Sequence, residues 1–154
     1  MAKITMEDIK KLREETSAGV MDAKKALEES DGDMKKAKEW IVKKGISRAD
    51  KKADRETGSG LVFAYIHHTG TSGAMVELAC ETDFVARTDD FQLLAKELAM
   101  QVTSSSPENV TDFLTQDYIR ESDKTIQDLI KIYSGKLGEK IDLKRFVRYQ
   151  LGEE

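Results

Sequence analysis

The hydrophobic period of this chain changes at Leu61, and that switch constrains its fold more than any other feature. Before Leu61, apolar residues recur at helical spacing; after it come runs of branched and aromatic residues of the kind strands prefer. The first part reads as three short helices. Thr5 is a good N-cap, with Asp8 at the third helical position as a weaker capping box, and Ile9, Leu12 and Thr16 share one face. Ser17-Ala18-Gly19 breaks that helix. The second helix spans 20–29, with Val20, Ala23, Ala26 and Leu27 as a narrow apolar stripe, and Ser30 to Asp33 forms a turn. Met34, Ala37, Trp40 and Ile41 line a third helix, with Gly45 placed as its C-terminal stop. Three amphipathic helices this close together can bury their stripes only against each other, so residues 1–45 should form a small bundle with Trp40 as its largest buried anchor.

Ile46 to Glu56 is charged and free of breakers, which predicts a connecting helix capped by Ser47; Thr57-Gly58-Ser59-Gly60 then marks a hinge or boundary. Leu61 to His68 and Ala74 to Glu81 predict two strands joined by the turn Thr69 to Gly73, an antiparallel hairpin. Thr88 or Asp89 caps a helix with Phe91, Leu94, Ala95, Leu98 and Val102 at clean helical spacing, ending before Pro107. Residues 109–122 read equally as a short helix or as irregular packing. Asp123 can cap a further helix carrying Ile126, Leu129, Ile130, Tyr133 and Leu137, closed by Gly138. Ile141, Leu143, Val147, Tyr149 and Leu151 alternate as one side of a third strand. The plan is α+β: a three-helix bundle over 1–45, a linker helix over 46–57, and a core over 58–154. In that core, helices pack on one face of a three-stranded antiparallel sheet.

Composition narrows the function classes. Residues 1–57 carry a net charge of +2 and residues 58–154 a net charge of −6, so the second part is a poor surface for phosphates. The densest basic stretch, Lys43 to Arg55, is interrupted by Asp50 and Asp54 and reads as a solvated helix face. A single cysteine excludes an internal disulfide framework and a cysteine-cluster zinc site. No apolar run approaches the ~18 residues of a membrane span, and the N-terminus lacks a signal-peptide pattern. The expectation is a cytoplasmic protein with no membrane association.

Chemistry-bearing constellations are scarce. No glycine-rich phosphate loop opens a helix. His67 and His68 are adjacent on a predicted strand, so they should face opposite sides. Cys80 lies in an apolar strand with no neighbouring base and reads as a buried structural thiol. No carboxylate pair stands out as an acid/base dyad, so no enzymatic reaction, cofactor or metal is expected. One segment does stand out: Thr82-Asp83-Phe84-Val85-Ala86-Arg87, between the second strand and the next helix. Phe84 either folds back onto the core or is a hydrophobic anchor presented on a loop held by rigid elements.

That TDFVAR segment, preceded by Glu77-Leu78-Ala79-Cys80-Glu81, resembles the signature of the elongation factor Ts family, the guanine-nucleotide exchange factors of elongation factor Tu. The run Leu12 to Leu27, with Thr16-Ser17-Ala18-Gly19-Val20-Met21-Asp22 at its centre, is similar to the family's N-terminal motif, a Thr-x-Ala-Gly turn joining two helices of a ubiquitin-associated-like bundle. Glu29 to Asp33 with Ala37, Lys51-Lys52-Ala53, Lys124 to Ile130, Leu137 to Ile141 and Arg145 to Tyr149 resemble further family blocks. The chain departs from long members: one hairpin-plus-strand set fits, and Pro107 to Lys124 leaves no room for their inserted helical hairpin. It resembles the short bacterial forms, in which two copies of the single core pair.

The resemblance implies binding to factor Tu, both GDP-bound and nucleotide-free, and no covalent chemistry. In the family, the loop aromatic wedges between two helices of Tu near its magnesium site and loosens GDP. The matching residue is Phe84, with Thr82, Asp83 and Val85 completing the loop. Val20, Met21 and Lys24, beside the Gly19 turn, match a second contact from the bundle. A homodimer through the C-terminal core, or a two-to-two complex with Tu, is expected. Two rivals are a helical-bundle adaptor that binds ubiquitin-like or other protein ligands without exchange activity, and a nucleic-acid binder using Lys43 to Arg55. The first leaves the TDFVAR segment unexplained, and the acidic second part opposes the other.

Overall fold

The computed structural model describes residues 3–153. The chain opens with α1 (Met6–Thr16), α2 (Val20–Glu29) and α3 (Met34–Asp50). At the start of α1, Thr5 Oγ1 accepts from the Asp8 amide at 3.2 Å and the Asp8 carboxylate accepts from the Thr5 amide at 2.9 Å. This reciprocal pair satisfies two amides that the helix itself cannot. Ser17 stops α1 in the left-handed region at φ 58°. Ile9 and Leu12 point inward as their spacing predicts, against Ala23, Ala26, Leu27 and Ala37.

Trp40 is not the inner anchor of this bundle. It is half-buried, and its indole N–H donates to Glu29 Oε2 at 3.0 Å. The inward positions are taken by Ile9, Leu12, Leu27 and three alanines, and Trp40 packs against this cluster while remaining partly exposed. Val20, placed in the apolar stripe by spacing, is exposed.

Nor does Gly45 end the third helix. α3 runs through it to Asp50, absorbing the start of the expected linker helix, and residues 51–54 continue as turns. The reason lies 90 residues downstream, in α7 (Ile126–Leu137). A Cβ added at Gly135 of α7 would stand 2.6 Å from both Cα and O of Gly45. The two helices therefore meet backbone to backbone, and glycine is used here for close approach rather than for a stop. Lys131 of α7 adds an ion pair to Asp50 at 2.9 Å. The expected hinge is tied down too: Ser59 and Gly60 already pair in the sheet, and the Thr57 hydroxyl donates to Asp142 at 3.1 Å.

The sheet is antiparallel in the order β1 (Ser59–Ile66), β2 (Ser72–Cys80), β5 (Ile141–Gln150). One face carries Leu61, Phe63 and Tyr65, then Ala74, Val76, Leu78 and Cys80, then Ile141, Leu143 and Phe146. Against it pack α5 (Asp89–Ser105) and α7. α5 buries Phe91, Leu94, Ala95, Leu98 and Val102 completely, as its spacing predicts, and Ala99 with them. Residues 109–122, ambiguous in sequence, form α6 (Val110–Thr115), capped by Asn109, and two short strands, β3 (Asp117–Tyr118) and β4 (Glu121–Thr125). Gln101 of α5 is buried and bridges the backbone at the two ends of β3, donating to Asp117 O and accepting from the amide of Ile119, just past the strand. Thr125, not Asp123, caps α7, in a second capping box with Asp128.

Two strand expectations change. β1 ends at Ile66, so His67 and His68 lie in the turn, where alternation no longer applies, and their rings sit 4.2 Å apart. The apolar residues of β5 do not share one side. Glu77 pairs with Arg145 but Leu78 pairs with Leu143, so Lys144 is an extra residue in the ladder. Such a bulge inverts the facing of everything beyond it. Ile141 and Leu143 face the helices, whereas Val147, Tyr149 and Leu151 are exposed on the other side with Val62, Ile66 and Met75. No described helix is long and apolar enough to cross a membrane.

Candidate functional site

The TDFVAR segment folds as one helical turn, α4 (Asp83–Ala86), between β2 and α5. Thr82, extended at φ −128°, caps it by accepting from the Val85 amide. Successive residues of a helix are rotated by about 100°, so a single turn splits its residues between two sides. Val85 and Ala86 are buried in the core, while Phe84 is 79% exposed. Of the two sequence readings for Phe84, the structure has the presented one. Asp83 is exposed and pairs with Arg87 at 3.2 Å. Thr88 closes the segment, donating to Val85 O at 2.7 Å and accepting from the Phe91 amide as the cap of α5.

Beneath the turn lies a pair of carboxylates that sequence reasoning missed. Glu139, just past the Gly138 cap of α7, accepts from the amides of Glu81 (3.2 Å) and Thr82 (2.9 Å) and from the Thr82 hydroxyl (2.7 Å). In return, Glu81 accepts from the Lys140 amide at 2.8 Å and from Arg55 at 3.3 Å. The Lys140 amide, followed by Arg55, holds the Glu81 carboxyl below the usual carboxylate range. Cys80 and Ile141 are the last pair of the β2–β5 ladder, so these side chains continue the join where backbone pairing stops. No local signal marks this contact, because 57 residues separate Thr82 from Glu139.

Cys80 is fully buried, and its Sγ donates to Thr82 O at 3.0 Å. Burial first, and then the negative charge of Glu139, push the thiol above its usual range. The native protein is therefore expected to react with a maleimide only slowly, with full labelling after denaturation. Rapid, complete labelling of the folded chain would contradict this burial.

In the bundle, Val20 and Met21 are exposed, Met21 by 76%, and Lys24 lies one turn further along α2 with an ion pair to Glu28 at 3.9 Å. Ala23, Ala26 and Leu27 occupy the inward face, so Val20 and Met21 are not core residues. No hydrogen bond or ion pair among the described residues joins this set to the 82–87 turn. Phe84 and the Val20–Met21 pair are thus separate apolar presentations, one on each part of the chain.

Comparison with known proteins places this geometry in a family. A family model described as Elongation factor TS matches residues 81–154, which include the Phe84 turn and both carboxylates. The chain is similar over nearly its whole length to proteins named Elongation factor Ts. It is 42% identical to that of Oleidesulfovibrio alaskensis over a 197-residue alignment covering 99% of this chain and all of the relative. It is 41% identical to that of Moorella thermoacetica, covering 97% and 96%. It is 40% identical to that of Thermotoga neapolitana, covering 99% of each. The first alignment is longer than this chain's 154 residues, so the relative carries additional residues between matched blocks. With this identity along both the bundle and the core, the chain belongs to the elongation factor Ts family of translation elongation factors.

Proposed function

We propose that this chain binds elongation factor Tu, GDP-bound and nucleotide-free, and promotes GDP release by disturbing Tu's magnesium and phosphate site. The observation that carries the reading is the exposure of Phe84 on a turn whose next two residues are buried. A large apolar side chain held out by a rigid turn gains by burial against a partner without needing a polar group to meet it. Thr82 and Val85 seat the turn; Phe84 and Asp83 make the contact. Val20, Met21 and Lys24 supply a second contact from the bundle. An exchange factor of this kind does no covalent chemistry: it binds nucleotide-free Tu more tightly than the GDP complex, and that difference displaces GDP. The test is release of labelled GDP from purified Tu with and without this protein. Release at the spontaneous rate in its presence would end the proposal.

The proposal includes a second copy of the chain on the outer face of the sheet. Val62, Ile66, Met75, Val147, Tyr149 and Leu151 leave that face apolar and open. A small sheet with one such face gains by covering it. Light scattering at tens of micromolar is expected to give a dimer mass, and Val147→Asp a monomer that melts like the parent. A monomeric parent in a one-to-one complex with Tu would rule the dimer out.

A further inference from the structure

We infer that Glu139 is the positioning residue of the exchange turn, an inference that rests on the Phe84 reading above. The far end of the turn is held by the buried Val85 and Ala86 and by the Thr88 hydroxyl, so what remains to be fixed is its start. α4 is four residues long, and its one N-terminal side-chain cap is the Thr82 hydroxyl. A single helical turn is marginal on its own, because nucleation fixes several residues for one or two hydrogen bonds. Glu139 supplies what is missing. Its two oxygens take three donors from the residues that enter the turn: the Glu81 amide, the Thr82 amide and the Thr82 hydroxyl. Because the Thr82 hydroxyl donates to Glu139, its lone pairs face the Val85 amide, so the carboxylate orients the cap that orients Phe84.

Glu139 is itself fixed. Gly138 turns the chain at φ 79°, and the buried Ser134 hydroxyl donates to the Glu139 carbonyl at 2.6 Å. The chain on either side of the clasp belongs to rigid elements, α7 before and β5 after. Hydrogen bonds to an ionised acceptor are stronger than neutral ones, which suits a carboxylate in this place. Glu139 therefore sets the angle at which Phe84 meets its partner without touching the partner itself.

The experiment compares full-length Glu139→Ala, Glu139→Gln and Phe84→Ala with the parent, by amide hydrogen exchange and by stimulated GDP release from purified Tu. In Glu139→Ala the Glu81 and Thr82 amides are expected to exchange at least about tenfold faster. The maximal rate of GDP release should fall about tenfold, with a smaller change in the concentration for half-saturation, because docking survives while the wedge loses its direction. Glu139→Gln keeps one carbonyl oxygen for the two amides and should recover part of both losses, which also guards against a fold defect in the alanine variant. Phe84→Ala should lose release while its Thr82 amide stays slow. Parental amide exchange in Glu139→Ala, or parental release beside an inactive Phe84→Ala, would overturn this inference alone. Parental release by Phe84→Ala would overturn the exchange-turn reading and the positioning role with it, whatever the amides do.

Discussion

Phe84→Ala is expected to reduce stimulated GDP release by between about tenfold and a hundredfold while leaving the unfolding midpoint almost unchanged. The two measurements separate because of where the side chain lies. Phe84 is already 79% exposed in the free protein, so truncating it removes little buried area and should cost within about 0.5 kcal/mol of stability. In the complex the same ring would be buried, and losing that burial costs about 1.5–3 kcal/mol. A core phenylalanine would behave in the opposite way; Phe91, fully buried in α5, should cost about 3–5 kcal/mol when cut to alanine. Magnesium provides a second axis. If the ring acts by loosening Tu's metal, its loss should matter less once a chelator has removed that metal. Equal loss with and without magnesium would make Phe84 an anchor only. Asp83→Ala should show a smaller deficit in release, since an exposed carboxylate brings a hydrogen bond or two to the contact rather than a buried anchor. Release at the parental rate by Phe84→Ala would remove the turn from the mechanism.

Gly135→Val is expected to destabilise the protein by about 3 kcal/mol, measured by urea unfolding. The added Cβ would lie 2.6 Å from the Gly45 backbone, and backbone on both sides cannot swing away as a flexible side chain can. α3 and α7 would have to move apart along the seam between bundle and core, losing contacts beyond the mutated site. Gly58→Ala is the matched control, because nothing lies within 4 Å of its added methyl and its backbone is not left-handed. It should be neutral or slightly stabilising through the unfolded chain. If Gly135→Val unfolds at the parental urea concentration, the close helix crossing is not a source of stability.

Features decided locally were legible in the sequence, save the Thr125 capping box two residues past the expected Asp123, and features decided by a distant partner were not. The apolar spacing of α5 and the cap at Thr5 depend on neighbours within a turn and stand where the sequence puts them, and Thr88 is one of the two caps the sequence offers for α5. Gly45 shows the limit. A glycine after a helical pattern is either a stop or a contact surface, and only Gly135, 90 positions later, decides which. Lys144 is similar: nothing in the alternation of β5 announces an extra residue, because the bulge is defined by the register of β2 opposite. The candidate site divides in the same way. The composition of TDFVAR marks it, but whether Phe84 points in or out depends on how the rigid elements to either side aim one helical turn. Glu139 lies in a block that the family resemblance picks out, but its role had no signal, since its three donors are brought to it only by the meeting of β2 and β5.

The uninterrupted α3 has a consequence for motion in solution. Its backbone ladder passes from the bundle into the crossing with α7 without a break, and Asp50, Arg55 and Thr57 are each tied to the core beyond it. Two parts joined by a loose tether would tumble at separate rates, each set by its own size. Joined by a stiff rod seated at both ends, they turn as one particle. Nitrogen-15 relaxation should give amides of α1 and α5 the same rotational correlation time. A shorter value for α1 would mean that the rod bends.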